Sequence, residues 1–132
     1  MGVKAKDIMS RNLITVKKST PAFEAIQTLV EHQITGLPVV ESGWVLEGIV
    51  TEKDFLRLIN ETTADEKTVA QVMTTQVISF QEEDSVEDIC TSLIKNNFRR
   101  VPILKGNKLV GIISRRDVIK FILGQWNKDQ HA

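Results

Sequence analysis

The residues best placed to do chemistry in this chain of 132 residues are two carboxylates in matching settings. Asp54 closes Thr51-Glu52-Lys53-Asp54, and Asp117 closes Ser114-Arg115-Arg116-Asp117. A hydroxyl residue followed three positions later by an acidic one has the spacing of a capping box, in which each side chain satisfies a backbone N–H at a helix start. Such a helix start also offers positive potential and free N–H groups, which suit a phosphate. Arg115 and Arg116 stand inside the second motif, and a guanidinium fork matches phosphate oxygens. Arg99 and Arg100 form another basic pair just before Pro102. Both pairs also fit an ordinary solvated surface.

Other chemistry finds little support. The sequence holds no P-loop, dinucleotide fingerprint, metal-ligand cluster or nucleophile elbow. His32 and His131 are too few and too isolated for a metal site or a triad. Cys90 sits at core spacing on a helix and reads as a small buried apolar residue. Trp44 and Trp126 read as packing or interface residues, and Gly36 as part of a turn. The expectation is a protein with no catalytic residue, no metal and no tightly held cofactor.

The elements that must position the two carboxylates occur twice. Met9 and Met73 are 64 residues apart, as are Pro38 and Pro102, whereas Gly48 and Gly111 are 63 apart, as are Asp54 and Asp117. One residue is therefore inserted in the first copy between Pro38 and Gly48, in a turn. Each copy opens with a short strand, Leu13-Ile14-Thr15-Val16 or Val77-Ile78-Ser79-Phe80. A helix follows, with apolar positions at Ala22, Ala25, Ile26, Leu29 and Val30, or at Val86, Ile89, Cys90, Leu93 and Ile94. That is the spacing of one buried helix face. Thr20 with Pro21, and Asp84 with Glu87, supply helix starts. Two strands come next, turning at Ser42-Gly43 in the first copy and at Gly106-Asn107 in the second. Their near-continuous apolar runs predict cover on both faces. A last helix starts at Thr51 or Ser114.

The fold class expected is α/β (of α+β type): two tandem β-α-β-β-α units spanning 1–62 and 66–126, packed with pseudo-twofold symmetry. The last helices carry Phe55, Leu56, Leu58 and Ile59, or Val118, Ile119, Phe121, Ile122 and Leu123, on more than one face. The surplus apolar face predicts a homodimer.

Composition narrows the function class. Lys plus Arg and Asp plus Glu number 17 each, so no global field draws in nucleic acid or an anionic membrane. A single cysteine forms no internal disulfide, and no apolar run approaches the roughly 18 residues of a membrane span. A cytoplasmic, soluble protein is expected.

The pattern Gly48-Ile49-Val50-Thr51-Glu52-Lys53-Asp54 and Gly111-Ile112-Ile113-Ser114-Arg115-Arg116-Asp117, with a Met near the start of each copy and a Pro in its middle strand, closely resembles a tandem pair of CBS domains, a Bateman module. The resemblance covers nearly the whole chain. It implies a regulatory sensor of an adenosyl ligand (AMP, ADP, ATP or S-adenosylmethionine) with two potential sites in the cleft between the copies, where the Asp binds the ribose hydroxyls. Carried over by position, one site joins Ile112, Ser114 and Asp117 to Ile14, Thr15, Ile34, Thr35 and Gly36, with Arg115 and Arg116 beside it. The other joins Ile49, Thr51 and Asp54 to Ile78, Ser79, Phe98, Arg99 and Arg100. No enzyme, channel or transporter domain accompanies the pair in these residues, so the implied output is a protein partner in trans. The alternative is a structural interaction module with an empty or metal-responsive cleft.

Overall fold

The computed structural model describes residues 2–130, with side chains described as far as residue 128; His131 lies outside the described residues. Two compact units form: one is Ile14–Val77, and the other combines the segment ending at Leu13 with the chain from Ile78 onward. The units are not the repeats as written along the chain. Each repeat lends its opening segment, with its methionine, to the unit built by the other.

Unit Ile14–Val77 contains helix α2 (Ala22–His32), the hairpin β1 (Gly36–Glu41) and β2 (Val45–Thr51), and the short helices α3 (Glu52–Leu56) and α4 (Val69–Val72). β1 and β2 pair antiparallel, Leu37 opposite Val50 and Pro38 opposite Ile49. The amide of Ile49 donates to the Thr74 carbonyl at 2.9 Å and that of Thr74 to the Ile49 carbonyl at 2.8 Å, which stitches the segment after α4 onto β2. Val16, Ala25, Leu29, Leu37, Val39, Val50 and Val69 make the core.

The other unit contains α1 (Ala5–Ile8), β3 (Phe80–Gln81), α5 (Val86–Lys95), the hairpin β4 (Arg100–Lys105) and β5 (Lys108–Ser114), and α6 (Arg115–Gln130). β5 pairs antiparallel with β4, which pairs parallel with β3. Here the opening segment is tied by the Ser10 amide to the Ile112 carbonyl (2.8 Å) and the reverse bond (3.0 Å). The core is Ala5, Met9, Ile89, Leu93, Val101, Ile103, Ile113 and Val118.

The two motif glycines explain the exchange of opening segments. A Cβ on Gly111 would overlap the side chain of Met9, and one on Gly48 would lie 2.7 Å from the Thr74 carbonyl oxygen and 3.0 Å from the Met73 sulfur. Each glycine is the seat of the other repeat's methionine segment.

Several local expectations are corrected. The first strand of copy one reduces to a single bridge, Val16 with Val39, and that of copy two to Phe80–Gln81; the chain crosses from one unit to the other at these segments. Thr20 does not cap α2: its hydroxyl accepts from the Lys17 amide (3.0 Å), and Pro21 takes the N-cap position. Asp84 likewise closes a turn by accepting from the Gln81 amide (2.7 Å), and Ser85 caps α5 through the Asp88 amide (3.1 Å). The buried helix stripes are narrower than the apolar pattern: Val30 is 71% exposed and Ile94 81%, because a helix laid on a sheet covers one stripe and leaves the next turn of the face outside. In β2 and β5 burial alternates rather than being continuous, while β1 is buried on both faces from Gly36 to Val40. The inserted residue of copy one falls in the hairpin, where Ser42-Gly43-Trp44 replaces the two-residue turn Gly106-Asn107.

Candidate functional site

Both Thr/Ser-x-x-Asp motifs form the capping geometry. In unit Ile14–Val77, Asp54 Oδ2 accepts from the Thr51 amide (2.9 Å) and the Thr51 hydroxyl (3.1 Å), while the Asp54 amide donates back to Thr51 Oγ1 (3.4 Å). In the other unit, Asp117 Oδ2 accepts from the Ser114 amide (2.8 Å) and hydroxyl (3.0 Å), and the Asp117 amide donates to Ser114 Oγ (3.1 Å). A backbone bond anchors each helix start: the Glu52 amide donates to Thr35 O and the Arg115 amide to Arg99 O, each at 3.0 Å.

The second carboxylate oxygen separates the two. Asp54 Oδ1 accepts from the Thr74 hydroxyl at 3.1 Å and from Arg57 Nη1 at 3.4 Å, and Asp54 is only 4% exposed. Asp117 is half-buried, and among the described residues its Oδ1 takes no hydrogen bond. Ser10, the counterpart of Thr74, accepts from the Asn12 amide at 3.4 Å instead. One carboxylate is therefore filled from within its own unit, while the other keeps one oxygen without a hydrogen bond among the described residues.

The arginines also divide. Arg115 Nε donates to the Phe98 carbonyl (2.6 Å) and Nη2 to Asn97 Oδ1 (2.8 Å), so Arg115 fastens the end of α5 to the start of α6. Arg116 is exposed at the first turn of α6 and makes no hydrogen bond or ion pair among the described residues. Arg100 begins β4 opposite Ser114, and Arg99 is exposed just before it.

Ile112, Ser114, Asp117, Arg116, Ile78, Ser79, Phe98, Arg99 and Arg100 belong to one unit; Ile14, Thr15, Ile34, Thr35, Gly36, Ile49, Thr51 and Asp54 belong to the other. Each unit thus carries the ribose half of one expected constellation and the base half of the other. Within unit Ile14–Val77, Ile34 and Thr35 line an apolar groove of about 530 Å³ with Phe55, Leu56 and Glu52. Gly36 packs against Thr51: a Cβ on it would lie 3.3 Å from Thr51 Cγ2. Thr74, Arg57 and Asn97 are contacts that the sequence pattern does not announce. The one available signal is that Thr74 and Ser10 occupy the same place after the two methionines.

A doubled β-α-β-β-α unit whose closing helices both start on a hydroxyl-capped aspartate defines a tandem-repeat α/β protein. The CBS domain family matches residues 5–61 and 69–124, and the chain belongs to that family. It is 33% identical over 114 residues to the CBS domain-containing protein YhcV of Bacillus subtilis, covering 86% of this chain and 81% of that one. Among solved structures it resembles CBSX2 in complex with AMP (34% identity, TM-score 0.86, 93% of this chain and 98% of that one). It also resembles the CBS domain pair of MJ0100 in complex with 5′-methylthioadenosine and S-adenosyl-L-methionine (28% identity, TM-score 0.81, 95% and 99%). The chain spans 43% of an uncharacterized protein of Methanocaldococcus jannaschii, at 30% identity, and 64% of the chloroplastic CBSX2 of Arabidopsis thaliana, at 29%. No helix among the described residues is long and apolar enough to cross a membrane.

Proposed function

We propose that this chain is a non-catalytic regulatory module that binds an adenosyl ligand, AMP, ADP, ATP or S-adenosylmethionine, and signals to a protein partner, with Asp117 as the principal ribose anchor. The observation that carries the reading is the open Oδ1 of Asp117 beside an Oδ2 already fixed by Ser114. A carboxylate oriented in this way accepts from a ribose hydroxyl without reorganising, and charge-assisted bonds of this kind contribute about 1.5–3 kcal/mol. Ser114 and Ile112 flank it, and Arg116 is the arginine available for a phosphate at the N-terminus of the 16-residue α6. The relatives bound to AMP and to S-adenosylmethionine support the ligand class.

The module acts as a homodimer. Ile119, Ile122, Leu123 and Trp126 form an exposed stripe along α6, and Ile26, Val30 and Leu56 an exposed patch beside the groove at α2 and α3; a second copy is the cover these faces require. A single half-buried cysteine suits the reducing cytoplasm.

Calorimetry and thermal melting against the four adenosyl ligands test the function. One of them binds with Kd between ~1 μM and ~1 mM, and at a hundredfold excess over Kd adds about 2.7 kcal/mol of stability. Melting unchanged by all four turns the assignment over to a structural interaction module. Sedimentation giving a monomer at tens of micromolar removes the dimer.

A further inference from the structure

The turn that holds the inserted residue of copy one borders a second groove. It lies wholly in unit Ile14–Val77, measures about 590 Å³, and is walled by Trp44, Glu24, Glu41, Thr20, Thr28 and Lys17 among others. That volume is in the range of ligand sites.

The second repeat serves as an internal control. At the place of Lys17 it has Gln81, whose Nε2 donates to the Gly106 carbonyl and whose Oε1 accepts from the Gly106 amide, both at 2.9 Å, sewing the turn down. At the place of Glu41 it has Lys105, and its turn is one residue shorter. The groove thus coincides with three differences concentrated at one spot: the glutamine stitch is missing, the charge at the strand end is reversed, and a tryptophan is added. That tryptophan is 49% exposed and held at φ +65°, a left-handed backbone that bulky side chains rarely adopt. Strain of this kind persists where the surroundings or a function hold it.

The walls present acceptors. Glu24 makes no side-chain hydrogen bond or ion pair among the described residues. Glu41 Oε2 accepts only a long bond from the Lys18 amide (3.4 Å), leaving Oε1. Thr28 spends its proton on the Glu24 carbonyl (3.0 Å) and keeps its lone pairs. The Lys18 ammonium turns away to Glu47 (3.3 Å), so among the described residues Lys17 is the one cation lining the groove, against the two carboxylates of Glu24 and Glu41. An indole face beside carboxylates matches a planar cation, which stacks on the ring while its N–H fork meets the oxygens.

We infer that this groove receives the guanidinium of an arginine side chain presented by a partner polypeptide. Its open, surface position fits a side chain delivered from another protein, and a single such contact is weak and salt-sensitive, as suits one point in a larger transient interface. The groove shares Thr15 with the expected Asp117 constellation, but Trp44, Glu24 and Glu41, which carry this inference, are not part of it, so the two are tested independently.

The test follows the two indole N–H resonances of the intact chain by NMR, assigned with Trp44→Phe, during titration with Ac-Gly-Arg-Gly-amide, its citrulline counterpart, which is the same shape without charge, and free arginine. The arginine peptide should shift the Trp44 resonance saturably, leave Trp126 in place, and bind at least about tenfold tighter than the citrulline peptide. Glu24→Gln alone should cut that preference severalfold, and Glu24→Gln with Glu41→Gln should erase it. Equal binding of the citrulline peptide, no saturable shift, or a preference that survives both glutamines overturns the site. Free arginine binding as tightly as the peptide overturns the polypeptide source.

Discussion

The two repeats build the same capped aspartate and then use it differently. Asp54 is buried with all of its acceptor capacity directed inward, to Thr51, Thr74 and Arg57. Asp117 satisfies its own helix start through one oxygen and leaves the other open. The closing helices diverge in the same sense. α3 stops at Leu56 and unwinds through tight turns, Leu58 N to Phe55 O and Ile59 N to Leu56 O, before Asn60-Glu61-Thr62-Thr63, which are poor helix formers apart from Glu61. α6 runs on to Gln130 with its apolar stripe exposed. One carboxylate is closed by its own unit, and the other keeps an oxygen without a hydrogen bond among the described residues. A repeated motif therefore identifies a candidate pair of sites, and second contacts such as that of Thr74 decide which member is available.

The largest expected effect is on the joints that exchange opening segments. Gly48→Ala should cost about 1–3 kcal/mol in denaturant unfolding, because its Cβ meets a backbone carbonyl held in a ladder. Gly111→Ala meets the Met9 side chain instead, so Met9→Ala should recover part of its loss, whereas Met73→Ala should recover less of the loss at Gly48. Equal rescue in both units would erase the distinction.

Next comes Asp54→Asn, expected to destabilise by about 1–3 kcal/mol, since at this buried position it replaces an acceptor oxygen that Thr51, Thr74 or Arg57 uses with an amide that donates. Asp117→Asn, with fewer partners, should cost about 1 kcal/mol or less. The reverse order in melting would show that Asp54 is the less committed carboxylate.

A smaller effect concerns the tie between the opening segment and the turn before α5. Glu83 accepts from Lys4 and Lys6, each at 2.6 Å, and these ammonium groups lower its carboxyl to about 2. A lowered carboxylate contributes stability above its unfolded value of 4.5, and that contribution fades as pH falls from there toward about 2. An NMR titration should place the Glu83 midpoint well below 4.5, with the lowering shrinking in high salt because the cluster is solvent-accessible. A midpoint near 4.5 would show that the two lysines do not hold it.

Much of this was legible in the chain. The 64-residue spacing, the hairpins, the capped aspartates and the buried positions Ala25, Leu29, Ile89 and Leu93 follow from periodicity and turn chemistry. What escaped depends partly on contacts distant in sequence and partly on local bonds that compete with the expected ones. Met9 and Met73 mark the repeat, yet their seats on Gly111 and Gly48 lie in the opposite repeat. Thr20 and Asp84 look like helix caps, but a neighbouring amide claims each of them first. The motif offers Arg115 for a phosphate but does not announce the Phe98 carbonyl and Asn97 that hold its Nε and Nη2. The apolar pattern of α2 is wider than the stripe its unit buries, and the surplus at Ile26 and Val30 is a surface rather than a core.

We propose Asp117, and not Asp54, as the open anchor. Titrating the best-bound adenosyl ligand into Asp117→Ala and Asp54→Ala by calorimetry tests it most directly, each variant first checked to be folded. Asp117→Ala should lose roughly tenfold or more in affinity, in keeping with one charge-assisted hydrogen bond of about 1.5–3 kcal/mol, and Asp54→Ala should lose clearly less. Binding abolished by Asp54→Ala and intact in Asp117→Ala would contradict the account.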